Sequence, residues 1–288
     1  MIYLLKFFKN KAIFFVRKIS NQLNFLIKNL KILIYLTHKK PFKTGYDEYK
    51  WNKIKKKINN QNKKINELNC PGIDERIIEY KWIINELENK KGNILDAGSV
   101  LNYSPIIEKL NNFNILIQTL YPEKNNFSKK SVSYIYSDLK KKIFEENYFD
   151  FITCISTLEH IGFDNTQYNY YKNDKYDSIE KNSKDYLKVI ENFKHILKKG
   201  GYLYITIPFG KKQIFEHLQQ FDSEDIKILI QKFNPDFVEK SFYIYKNFSW
   251  IECNEQDCKD IEFRTQEEKN PADKAASARS VIFLKLRK

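Results

Sequence analysis

The densest chemistry in this chain lies in Ser156-Thr157-Leu158-Glu159-His160, where a hydroxyl, a carboxylate and an imidazole follow a run of apolar residues. Imidazole takes and gives a proton near neutral pH, and a neighbouring carboxylate can hold its ring in one orientation. His160 is therefore the candidate general base and Glu159 its candidate orienter, against the plainer reading of a histidine satisfied within the fold. Asp96-Ala97-Gly98-Ser99 offers a second kind of chemistry. A glycine there lets backbone pass close to a ligand, and a helix start behind it presents unpaired N–H donors. The competing reading is an ordinary strand-to-helix turn. Asp138-Leu139 places a carboxylate that could accept from a ligand amine or hydroxyl, or cap a turn. No Gly-x-Gly-x-x-Gly is completed, because Ser99, Val100 and Leu101 follow Gly98, which disfavours a pyrophosphate-clamping dinucleotide site.

These groups need elements to position them. From Gly72 onward, short apolar runs alternate with helical periods, the pattern of a parallel sheet with helices on both faces. Asn93–Ala97, Asn114–Leu120, Ser133–Tyr136, Phe149–Ile155 and Gly201–Ile207 read as five strands, with Phe242–Tyr245 and Ser280–Lys285 as two more. Helices are expected over 74–87, with Ile77, Tyr80, Ile84 and Leu87 as its core face, after an N-cap at Ser104, and over 183–198. A further helix is expected after Asp222, with Phe221 and Ile226 as a hydrophobic staple. In such a sheet ligands bind outside the carboxyl ends of the strands, where Ser99, Asp138 and His160 fall. Cys70, Cys154, Cys253 and Cys258 are too few and too irregular for a disulfide scaffold, and no second pair completes a zinc site. A reducing, cytosolic setting with no metal is the expectation.

The ordered set Ile94-Leu-Asp-Ala-Gly98, Asp138-Leu139, Phe149 through His160, and Leu197-Lys-Lys-Gly-Gly-Tyr-Leu-Tyr-Ile-Thr-Ile-Pro208 resembles the class I S-adenosylmethionine-dependent methyltransferases. More narrowly, Asp74 through Trp82, Thr119-Leu-Tyr-Pro-Glu123, Ser156 through Gly162 and the terminal Leu284–Lys288 look like a bacterial subgroup associated with surface-glycan gene sets. The resemblance implies a Rossmann-like fold with a seven-stranded, mostly parallel sheet and S-adenosylmethionine as cofactor. It places Asp96, Ala97, Gly98 and Ser99 along the methionine portion, Asp138 and Leu139 at the adenine, and Ser156 nearby. Where the family carries an acid for the ribose hydroxyls, this chain has Thr119, so either Glu123 reaches back to the ribose or affinity for the cofactor is reduced. The implied reaction is methyl transfer to a hydroxyl of a sugar or glycan intermediate. An RNA methyltransferase and a catalytically inactive recruiting protein are the competing readings. Residues 163–183, with Tyr168, Tyr170, Tyr171 and Tyr176, are placed to cover an acceptor or to form a polar surface loop.

The charge divides the chain in two. Its net +14 sits entirely in residues 1–70, which hold 17 Lys and Arg against 3 Asp and Glu, while 71–288 are balanced at 33 each. The domain reading follows: a basic helical arm and linker over 1–70 and a methyltransferase-like domain over 71–288. Within 1–40 no uncharged run is long enough to span a bilayer. At 100° per residue Lys6, Lys9, Arg17, Lys28 and Lys31 share an arc about 100° wide, opposite Leu4, Phe8, Phe15, Leu26 and Leu33. Such an amphipathic helix could lie on an anionic membrane surface at the cytoplasmic face, or pack on the body or a second subunit. A nucleic-acid partner is disfavoured because the larger part of the chain is neutral. The lysine-rich stretch from Lys50 to Lys64 reads as a solvated helix face or linker.

Overall fold

In the computed structural model, residues 19–33, 45–128, 131–165, 182–264 and 277–288 are described. Apolar runs that read as strands form the sheet: β1 (Gly92–Ala97), β2 (Phe113–Thr119), β3 (Val132–Tyr136), β4 (Phe149–Ile155) and β5 (Leu197–Pro208). The two-residue strands β6 (Gln213–Ile214) and β7 (Gln219–Gln220) form a separate small hairpin. Then come β8 (Phe237–Lys246), β9 (Ser249–Cys253) and β10 (Ser280–Arg287). The order across the main sheet is β3-β2-β1-β4-β5-β10-β8-β9. Strands β1 to β5 pair in parallel, whereas β10 is antiparallel to both β5 and β8. The order reverses between β1 and β4, which opens a crevice outside their carboxyl ends.

The sheet has eight strands rather than the seven expected. Strand β9 folds back on β8 through Asn247 and Phe248, both at positive φ. A phenylalanine in the left-handed region is a poor turn signal, so the sequence does not announce this hairpin. The strand is nonetheless well anchored. Trp250 is fully buried and its indole N–H donates to the Ile73 carbonyl at 3.0 Å.

Successive residues of each central strand face opposite cores, as pleated geometry requires. Ile94, Phe151, Tyr204 and Phe283 join the core on one side with helices α2 (Tyr46–Asn59) and α3 (Arg76–Leu87). Leu95, Ile152, Ile205 and Leu284 join the other with α5 (Tyr186–Ile196) and α6 (Ser223–Phe233). Helix α3 is buried nearly all round: Ile83 takes the core position expected of Ile84, which is only partly buried. The cause is α2, whose Ile54 and Ile58 cover it while Lys55 and Lys56 stay in water. The Lys50–Lys64 stretch thus has a solvated face and a core face.

Three local expectations meet different outcomes. Asp222 caps α6, accepting from Asp225 N at 2.9 Å in a capping box, with Phe221 and Ile226 both buried. The one-turn helix α4 (Ser104–Ile107) starts on Tyr103, and Ser104 donates to Glu108 instead of capping. Helix α5 stops at Ile196, because Leu197–Lys199 already belong to β5. The register of β4 and β5 shifts between Phe149 and Phe151, and Gly200, at φ +76, lets the longer strand bulge there. A short helix, α7 (Glu255–Cys258), completes the secondary structure named here. Among the described residues no helix is long and apolar enough to cross a membrane, and no cluster of His, Cys, Asp and Glu could hold a metal.

Candidate active site

Chain reversal between β1 and β4 leaves a cavity of about 530 Å³ at the carboxyl edge of the sheet. Its wall carries Gly98, Ser99, Gln118, Thr119, Glu123, Asp138, Leu139, Ser156 and His160, so most of the residues singled out by sequence meet in one place. Asp96, Ala97 and Glu159 do not line it.

The part of the wall under β1, β2 and β3 is made mostly of backbone and small polar groups. Gly98 sits at φ +104, and a Cβ there would run into the Thr157 side chain, so the loop after β1 lies against the end of β4. Asp96 stands behind that loop. Fully buried, it accepts from Leu101 N at 2.9 Å and Thr153 Oγ1 at 3.3 Å, and burial pushes its carboxyl up to about 7. It shapes the loop rather than facing the cavity. Ser99, at φ +67, has its Oγ buried with no hydrogen-bond partner among the described residues. Gln118 donates from Nε2 to the Asp138 carbonyl at 3.2 Å, and its Oε1 is likewise buried and unpartnered. Buried polar atoms are almost always satisfied, so two orphans on one cavity wall are what a polar ligand would complete.

Glu123 lies on this wall, one carboxylate oxygen held by Asn102 Nδ2 at 2.9 Å; Asn102 is fixed in turn by Tyr134 OH at 2.9 Å. Asp138 accepts from Lys140 N at 2.8 Å, an Asx turn that orients its carboxylate, and pairs with Lys140 Nζ at 3.6 Å. The turn reading of Asp138 is the one these contacts show, and the residue lies on the cavity wall.

The opposite part of the wall holds charged and aromatic groups. His160 sits half-buried, its Nδ1 2.9 Å from the His217 carbonyl, so that nitrogen carries the proton and Nε2 the lone pair. Desolvation by burial pulls its pKa down to about 4, against the favourable pull of the His217 carbonyl on the charged form. The ring is therefore neutral and oriented by a main-chain oxygen, not by Glu159 as the sequence suggests. Glu159 is buried beneath the wall, and burial holds its carboxyl well above the usual range, with the charges of Glu79 and Glu75 adding to the effect. The His160 ring is held by the His217 carbonyl, while burial disfavours the charged form of Glu159.

Sequence reasoning misses Arg76, Tyr80 and Tyr103 as wall residues. Arg76 pairs with the fully buried Glu79, which also accepts from Ser156 Oγ at 2.7 Å and from Thr206 Oγ1. The Ser156 hydroxyl is thus committed to Glu79, and Ser156, at φ +38, is held between α3 and β5. Tyr80, Tyr103 and Trp51 form an aromatic group, with the Trp51 and Tyr103 centroids 4.5 Å apart. The only signal for this side is that α3 combines acidic, basic and aromatic residues on an otherwise apolar helix. Tyr168, Tyr170, Tyr171 and Tyr176 lie outside the described residues.

Solved structures similar to this chain include 1,6-didemethyltoxoflavin-N1-methyltransferase from Burkholderia thailandensis, 11% identical over 74% of this chain and 78% of that chain, TM-score 0.46. N-methyltransferase NodS from Bradyrhizobium japonicum WM9 is 10% identical over 83% and 98% of the two chains, TM-score 0.40. An O-methyltransferase family protein from Burkholderia thailandensis is 11% identical over 74% and 59%, TM-score 0.40. The first two hold S-adenosylhomocysteine. A search of the curated proteins finds no match. One family model covers residues 113–286, from β2 to the last strand, and by that match the chain belongs to the family described as Caenorhabditis protein of unknown function, DUF268.

Proposed function

We propose that this chain transfers a methyl group from S-adenosylmethionine to a hydroxyl of a sugar or glycan intermediate, working at the cytoplasmic face of a membrane. The observation that carries this reading is the pair of unpartnered buried atoms, Ser99 Oγ and Gln118 Oε1, on a cavity wall at the reversal point of an α/β sheet. When bound, S-adenosylmethionine supplies a methyl group already activated by its sulfonium. Gly98 and Ser99 would border its methionine portion, Thr119 and Glu123 its ribose, and Asp138 and Leu139 its adenine. Asp96 and Ala97 hold the loop that presents them, and Ser156, fixed by Glu79, closes the floor.

What remains for the protein is to align the acceptor, exclude water and remove a proton. Neutral His160, with its Nδ1–H given to the His217 carbonyl, has Nε2 as its basic atom and would take the hydroxyl proton there. The exposed ring of Tyr103 on the cavity wall suits the apolar face of a sugar ring, which, with the narrower resemblance to surface-glycan proteins, favours a glycan acceptor. Calorimetric titration of the purified chain with S-adenosylmethionine tests the cofactor. Mass spectrometry of surface glycans with and without the protein tests the acceptor. No heat and no melting shift at millimolar donor would overturn the reading. Donor binding without any methylated product would favour an inactive recruiting protein.

A further inference from the structure

Helix α1 (19–33) is held to the body near its C-terminal end. Lys31 Nζ pairs with Glu48 at 3.1 Å on α2, and Ile32 packs against the core. At 100° per residue, Ile19, Leu23, Leu26, Ile27 and Leu30 fall in a continuous arc about 100° wide, opposite Ile32 and with Lys31 beside its edge. These five are 44% to 63% exposed. A contiguous apolar stripe of this kind on a surface helix marks an interaction site.

Charge selects its occupant. The first acidic residue of the chain is Asp47, and ten lysines and arginines precede it. Two copies meeting through this part of the chain would each carry ten positive charges and no negative one before Asp47, whereas an anionic bilayer offers acyl chains to the stripe and negative headgroups to the lysines. Nucleic acid offers phosphates but nothing comparable to the stripe. We propose that α1 lies in the surface of an anionic lipid bilayer, with Leu23, Leu26 and Leu30 inserted below the headgroups. The helix is mounted on α2, whose Trp51 stacks on the cavity residues Tyr80 and Tyr103, so binding would bring the mouth of the cavity near the membrane. The proposal does not depend on the chemistry performed in that cavity.

Co-sedimentation of the full chain with vesicles of phosphatidylcholine, with or without about 30% phosphatidylglycerol, tests it. The expected result is at least about tenfold more binding to the anionic vesicles, weakening as salt is raised. Leu26→Gln/Leu30→Gln should abolish binding with the melting temperature unchanged. Equal binding to both vesicle types, no binding to either, or anionic binding that survives the double substitution would overturn the proposal. So would a concentration-dependent dimer in sedimentation velocity that the same substitution dissolves, since a second copy would then cover the stripe. Should the double variant fold poorly, the wild-type difference between the two vesicle types and its salt dependence decide alone.

Discussion

The wall under β1, β2 and β3 and the wall beside α3 enclose the same cavity but are built from different materials. The first uses strand ends, a glycine at φ +104 and small polar groups, two of them with buried atoms left unsatisfied. The second uses charged side chains that have largely satisfied one another: Arg76 with Glu79, Glu79 with Ser156 and Thr206, and His160 with the His217 carbonyl. Unsatisfied backbone-proximal donors and acceptors are what a fixed, polar cofactor needs. A half-buried histidine kept neutral by desolvation and oriented by a main-chain oxygen is what a proton transfer needs. On the proposed function, one cavity separates holding from reacting by how far each wall satisfies itself.

Four substitutions probe that division. His160→Ala should have the largest effect, lowering turnover by about 10²- to 10⁴-fold while S-adenosylmethionine affinity by calorimetry stays within about threefold. Equal loss of both would mean the second wall also does the holding. Because His160 is neutral above about 4, its protonation should not limit kcat/KM at mildly acid pH. An acid limb near 6.5 would assign the proton to another group.

Gly98→Val should do the reverse. Its side chain would collide with Thr157 at a φ that β-branched residues rarely adopt, weakening donor binding by about 100-fold through displacement of the loop. Unchanged affinity would remove the first wall from the binding site. Glu123→Gln is milder, since Asn102 can still donate to the amide oxygen. Loss of one charged hydrogen bond should raise the dissociation constant about tenfold and leave turnover at saturation intact.

The last substitution concerns stability rather than binding or turnover. Asp96 titrates near 7 in the folded chain against about 3.9 unfolded, so between those values the folded state binds more protons. Its contribution to stability is therefore full below about 4 and is lost as pH rises through about 7. Asp96→Asn should remove that slope, of up to about 1.4 kcal/mol per pH unit, in denaturant unfolding compared from pH 4.5 to 8. Glu75, also pushed up to about 7 by burial, will keep part of the slope in the variant. A wild-type curve parallel to the variant's would show that the carboxyl behind the loop is ionised throughout.

Legibility followed sequence distance. Asp96, Gly98 and Ser99 belong to one strand-to-helix turn, and Asp138 to another, so short-range patterns find them. Alternating apolar runs likewise disclose β1 to β5, and Asp222 with Phe221 and Ile226 the start of α6, because pleat, helix period and caps are local properties of the chain. The hairpin of β8 and β9 escaped because its turn uses Asn247 and Phe248 at positive φ without glycine. The extent of α5 was overread because Lys198-Lys199-Gly200-Gly201 can end a helix or bulge a strand, and pairing with Phe149 chose the strand.

By itself, then, the sequence determined the layered α/β architecture, the strand ends from which a cavity had to be made, and the uneven charge of its N-terminal 70 residues. Only the tertiary structure decided what each polar group there does. Glu79 meets Ser156 and Thr206 across 77 and 127 residues, and His160 meets the His217 carbonyl across 57. Such partners are chosen by packing in three dimensions, and burial then sets which group is charged. That is why Asp96 became the support of a loop and Glu159 a buried acid whose charged form is disfavoured, while His160 took its orientation from a main-chain oxygen.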